Sequence, residues 1–69
     1  MQSHQLRVIE EKKELDEKRF ALKAFFSTRV FENLDGDEQK RLERQHAIMQ
    51  EYSNILGERI AYFQKIEGE

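Results

Sequence analysis

Val8, Leu15 and Leu22 recur every seven residues in the first half of the chain, and Leu42, Met49, Leu56 and Phe63 do the same in the second half. A seven-residue apolar repeat lines one stripe of an α-helix, and two such stripes on one short chain bury themselves best against each other. The chain has no Pro and only three Gly, so little interrupts a helix. The repeat therefore predicts an all-α fold: an antiparallel two-helix hairpin with a short connecting helical turn, oligomerising into a helical bundle. Oligomerisation is expected because 69 residues, 38% hydrophobic and 38% charged, give a lone hairpin only a thin core.

The whole chain, 1–69, reads as a single helical-hairpin domain. Helix one is expected over about residues 4–26, roughly 35 Å long, with Ser3 as its N-cap. A connector over about 27–35 follows, in which Thr28 caps a single turn and Val30, Phe31 and Leu34 fold back as a plug. Helix two is expected over about 36–66, where Asp35 caps the first turn and Glu38, three residues on, completes a capping box.

Composition narrows the function. With no Cys there is no disulfide or thiolate chemistry, and no residue spacing resembles a metal site, so neither a metal nor another cofactor is expected. The first residues lack the unbroken apolar core of a signal peptide, and no apolar run is long enough to span a bilayer, so a cytoplasmic protein is expected. Twelve Lys and Arg against fourteen Asp and Glu, with signs interleaved, leave no basic footprint for duplex nucleic acid or an anionic membrane. Catalysis is not expected either: His4 and His46 sit on different helices without a nucleophile or carboxylate at a matching level, and Ser27 and Ser53 have no base.

The seam itself is unusually polar. With Val8, Leu15 and Leu22 and the run Leu42 to Phe63 on one column, the second column, counted three residues on, holds His4, Glu11, Lys18 and Phe25, then Gln45, Tyr52 and Arg59. In a hairpin turning near residue 35, positions whose numbers sum to about 70 face each other, so Glu11 meets Arg59, Lys18 meets Tyr52 and Phe25 meets Gln45. Two readings are open. Glu11 and Arg59 can be a partly buried ion pair that fixes register while Lys18 snorkels past Tyr52. Alternatively Lys18, Arg59, Tyr52 and Gln45 form a ligand pocket, the two cations on phosphate and the phenol ring on a base.

Two further sets stand out. Ser53, Gly57 and Ala61 form a small-residue stripe, which predicts a close approach by a neighbouring helix or a flat ligand. Leu6, Phe20, Phe26, Val30, Phe31, Ile60, Tyr62 and Ile66 are more apolar residues than the seam can use, and Phe20, Phe26, Tyr62 and Ile66 are expected, with the small stripe, to form an interface.

The spacing of Arg7, Val8, Glu11, Leu15, Lys18, Leu22 and Phe25, followed by Leu42, Gln45, Met49, Tyr52, Leu56, Arg59 and Phe63, resembles a family of small helical-hairpin proteins of bacteriophages and prophages, related to a crAss-like-phage protein. The resemblance covers about residues 6–63; Gly36 departs from it, standing where a Pro is expected after the cap. It implies a viral protein acting in the bacterial host cell. By analogy of size and style, it is similar to phage sponge proteins that assemble as oligomers and bind cyclic nucleotide signals of bacterial immunity. The expectation is thus an anti-defence protein that sequesters a nucleotide second messenger. The alternative is a helical protein–protein interaction module that inhibits a host defence or regulatory protein.

Overall fold

A computed structural model describes residues 2–67 of the chain. It consists of α1 (Ser3–Phe25), the one-turn α2 (Arg29–Glu32) and α3 (Gly36–Glu67). The molecule is a rod of 52 × 16 × 14 Å. His4 stacks edge-on against Phe63, Lys12 bonds Ser53, Arg19 bonds Gln50 and Phe26 meets His46, so numbers rise along α1 as they fall along α3: an antiparallel hairpin. Among the described residues, no helix is long and apolar enough to cross a membrane.

Local chemistry sets the ends of the helices. The N-cap of α1 is Gln2 and not Ser3; its backbone N–H donates to Gln5 Oε1 at 2.8 Å, a reach that the longer Gln side chain supplies from the first turn. Thr28 caps α2 as expected: its Oγ1 accepts from Phe31 N–H at 3.2 Å and donates to the Phe25 carbonyl at 2.7 Å, tying the end of α1 to the start of α2. The Asp35 carbonyl accepts the first bond of α3 from Gln39 N–H at 3.0 Å. Glu38 forms no capping box; its carboxylate pairs with Arg41 at 2.7 Å. Gln39 instead turns back to donate to the Phe31 carbonyl at 2.8 Å, closing the open C-terminus of α2.

Of the two columns on the seam, the first is as expected and the second lies one residue further on. Val8, Leu15 and Leu22 on α1 and Leu42, Met49, Leu56 and Phe63 on α3 are all buried or half-buried. Beside them stand Gln5, Lys12 and Arg19 on α1, Phe26 just past its end, and Gln39, His46, Ser53 and Ile60 on α3, in place of Glu11 and Lys18 and of Gln45, Tyr52 and Arg59, which are exposed; Phe25 is half-buried as expected. A heptad spaces its second column three residues to one side of the first and four to the other, and a helix can use either.

Three zones follow along the rod. At the free end Val8, Leu56 and Phe63 are buried, with Leu15 and Ile60 packed on them. The middle is polar. At the turn, Phe31 packs on Phe25 and Phe26, with ring centroids 6.0 and 5.0 Å away, and Phe26 stands edge-on to His46 at 5.6 Å.

Gly57 faces this seam but does not admit a helix backbone: a methyl group there would lie 3.4 Å from Lys12 Cε, the movable end of a side chain. Gly57→Ala is therefore expected to stabilise the hairpin by up to about 1 kcal/mol, through the higher helix propensity of alanine. A raised urea midpoint at unchanged m-value is the expected reading, and a lowered midpoint shows that Lys12 cannot yield.

Candidate functional site

The polar middle of the seam is one connected network. Lys12 Nζ lies 2.7 Å from Asp16 Oδ2 and donates to Ser53 Oγ at 2.9 Å, while Ser53 Oγ donates to Asp16 Oδ1 at 2.5 Å. Arg19 Nε sits 3.3 Å from Asp16 Oδ1, its Nη1 donates to Gln50 Oε1 at 2.6 Å, and Gln50 passes the chain to Asn54 at 3.2 Å. The Asp16 carboxyl is thereby lowered from 3.8 to about 2, first by the Lys12 hydrogen bond, then by that of Ser53, against some desolvation, with the Lys12 charge and the Arg19 bond adding to it. Every charged member has a partner inside the network. The ion pairs lie within α1 and the links to Ser53 and Gln50 are hydrogen bonds, so the network ties the register of α1 to α3 without the cross-helix ion pair that was expected.

Glu11 does not meet Arg59. It accepts a hydrogen bond from the Tyr52 phenol, just beside the seam. One heptad from that pair on each helix stand Lys18 and Gln45, so the register sets these two level on the same flank, both exposed. Arg59 is exposed on α3, one heptad beyond Tyr52 and away from Lys18. The four expected ligand residues therefore share a flank without forming one pocket.

The expected interface residues divide. Phe20, Tyr62 and Ile66 are exposed. Phe26 is taken up by the aromatic plug, and Ser53 and Gly57 belong to the contact between α1 and α3 within the hairpin, whereas Ala61 is exposed. The small stripe thus splits, because Ser53 and Gly57 receive the Lys12 side chain and Ala61 lies past it.

A groove of about 340 Å³ lies on the outward face of α3, lined by Arg41, Arg44, Gln45, Ile48 and Met49. Two guanidinium groups and a carboxamide stand over an aliphatic floor, with no carboxylate in the lining. That combination suits an anion carrying a flat or apolar body, because the arginine forks match phosphate oxygens and Ile48 and Met49 offer dry surface. Of its five residues only Gln45 was expected to bind a ligand, and Met49 was expected on the apolar repeat. Arg41 and Arg44 were legible as cations three apart on one helix face, but they lie off the apolar repeat.

Continuing along the same face, Arg41, Gln45, Ile48, Tyr52, Ile55, Arg59, Tyr62 and Ile66 alternate four and three apart, which is a second heptad stripe. Its five large apolar members are 40–61% exposed.

No curated protein and no solved structure matches the chain. The Sequestin family model matches residues 2–62, a span that takes in α1, the connector, the polar network and the outward groove. On that match the chain belongs to the Sequestin family.

Proposed function

We propose that this chain is a non-enzymatic bacteriophage protein that sequesters a nucleotide second messenger of bacterial immunity in the host cytoplasm, as a homo-oligomer. The observation that carries the reading is the groove of about 340 Å³ between Arg41, Arg44 and Gln45. Its volume lies within the range of small-ligand sites, roughly 300–1,000 Å³, and its lining pairs cations with aliphatic surface, as phosphate and base require. The family's name, Sequestin, supports sequestration in general terms. Lys18, level with Gln45 on the neighbouring helix, adds positive charge to that flank. A sponge of this kind needs no general acid, base or nucleophile; it lowers the free concentration of its ligand by binding alone.

Native mass spectrometry of the purified protein, with and without a panel of cyclic di- and trinucleotides, tests this directly, since it reports stoichiometry and ligand together. One member of the panel is expected to bind. Arg41→Ala and Lys18→Ala are each expected to weaken its affinity roughly ten- to two-hundred-fold, the equivalent of about 1.5–3 kcal/mol for a charge-assisted bond, with helix content unchanged. The Arg41 pair with Glu38 is exposed and costs little to give up, so losing it does not mask the effect. If no cyclic nucleotide binds, the reading fails. The exposed apolar side chains Phe20, Tyr62 and Ile66 then become the lead, as contacts for a host protein.

A further inference from the structure

The groove on α3 has two unlike ends. Arg41 and Arg44 stand at the end nearer α2, and Ile48 and Met49 at the other, with Arg41 and Met49 about 12 Å apart along the helix axis. The Arg41 guanidinium is drawn away from the aliphatic end, since its Nε donates to Glu38 Oε1 at 2.7 Å, one turn toward the start of α3. A helical side chain ordinarily tilts toward the N-terminus, which keeps Arg44 at the same end. Gln45 lies between the two ends, and its Nε2 donates to Met49 Sδ at 3.9 Å, so its carboxamide stands at the aliphatic floor. A thioether is a weak acceptor, and giving up this bond costs little. The polar groups a ligand meets are therefore cations at one end and a single carboxamide beside dry surface at the other.

We infer that the groove selects an adenine base, laid flat on Ile48 and Met49 with its edge read by Gln45, while Arg41 and Arg44 hold the phosphate. The inference rests on the nucleotide reading of the groove and adds the base to it. Donors and acceptors decide between bases. A carboxamide offers one acceptor and one donor side by side, and adenine answers with its N6 amine beside the N7 acceptor. Guanine presents two acceptors on that edge, O6 and N7, which call for a guanidinium, and the guanidinium groups lie at the phosphate end. On its pairing edge guanine has N1–H and the N2 amine to satisfy, which call for a carboxylate, and the lining holds none. A pyrimidine covers less of the floor than a purine and removes less apolar surface from water. Gln45 thus sets the base preference, a role distinct from that of the cations, which hold any nucleotide alike.

Titration calorimetry with cyclic di- and tri-adenylate, and with the guanylates and uridylates of the same ring size, isolates the base, because the ring and its phosphates do not change. The wild-type protein is expected to bind an adenylate roughly five- to 150-fold more tightly than its guanylate and uridylate counterparts, the range for one bidentate contact to a base. Gln45→Ala is expected to bring that ratio close to one at unchanged helix content, Gln45 being exposed. Gln45→Glu, whose carboxylate accepts twice and donates nothing, is expected to turn the preference toward the guanylate. Arg41→Ala should weaken all of them alike and leave the ratio in place.

A wild-type protein that binds guanylate or uridylate as tightly as adenylate overturns the adenine assignment and leaves the nucleotide reading standing. A preference for adenylate that survives Gln45→Ala overturns the role of Gln45. No binding to any of them also overturns the adenine assignment, whereas the nucleotide reading falls only if cyclic nucleotides of mixed base fail as well.

Discussion

Leu56→Ala is expected to lower the unfolding free energy by about 2–5 kcal/mol. Leu56 is fully buried, and among the described residues only Val8 and Phe63 join it as buried apolar side chains. At the usual 0.05–0.15 kcal/mol per residue a chain of this length has roughly 3–10 kcal/mol in total, so one cavity in such a core removes a large share of it. The expected reading is a thermal melt, followed by circular dichroism, that is shifted far down or lost at low protein concentration. Leu6→Ala, at a position 54% exposed, should melt close to the wild-type protein. Equal midpoints for the two variants would show that Leu56 does not hold the hairpin together. The comparison belongs at matched protein concentrations, since any self-association would add stability by mass action, and the gap between the variants should persist at each.

Most of the architecture was legible because it depends on patterns with one physical solution. The apolar repeats through Val8 and Leu56, the scarcity of helix breakers and the Thr28 cap each admit one reading, and the hairpin carries all three. The second column was ambiguous for a definite reason: three residues on from the first lie Glu11 and Lys18, four residues on lie Lys12 and Arg19, and both choices are charged. On α3 the sequence held a better signal, since Ile60 and Ser53 suit a tight seam and Arg59 and Tyr52 do not.

Counting four residues on would have predicted Lys12 against Ser53, and would have left Gln45, Tyr52 and Arg59 outside with Ile48 and Ile55. The cross-helix ion pair that was expected is absent: Asp16 takes Lys12 and Arg19 within α1, and the seam is crossed instead by the hydrogen bonds Lys12–Ser53, Ser53–Asp16, Arg19–Gln50 and Tyr52–Glu11. The groove was not legible at all from the apolar repeat. Its arginines stand on a face defined only once the first seam is known to lie on the other side.

Asp16→Asn is expected to cost about 1.5–3 kcal/mol at pH 7, since it removes the shared charged acceptor of Lys12, Ser53 and Arg19 and leaves two cations at the seam. The pH dependence gives the effect its signature. The folded-state value of Asp16 is depressed to about 2 from 3.8, so its contribution is fully present above the unfolded value and is lost as pH falls through 3.8 toward 2. The stability gap between wild type and Asp16→Asn should accordingly be flat from neutral pH to about pH 5 and narrow steadily below that. Glu14→Gln, exposed on the same helix, should track the wild-type protein within about 0.5 kcal/mol at pH 7. Denaturant midpoints measured at several pH values decide the matter. A gap between wild type and Asp16→Asn that stays constant down to pH 2 would mean that the carboxylate charge is not what the network uses, and that Asn at this position fails through its shape or its extra donor instead.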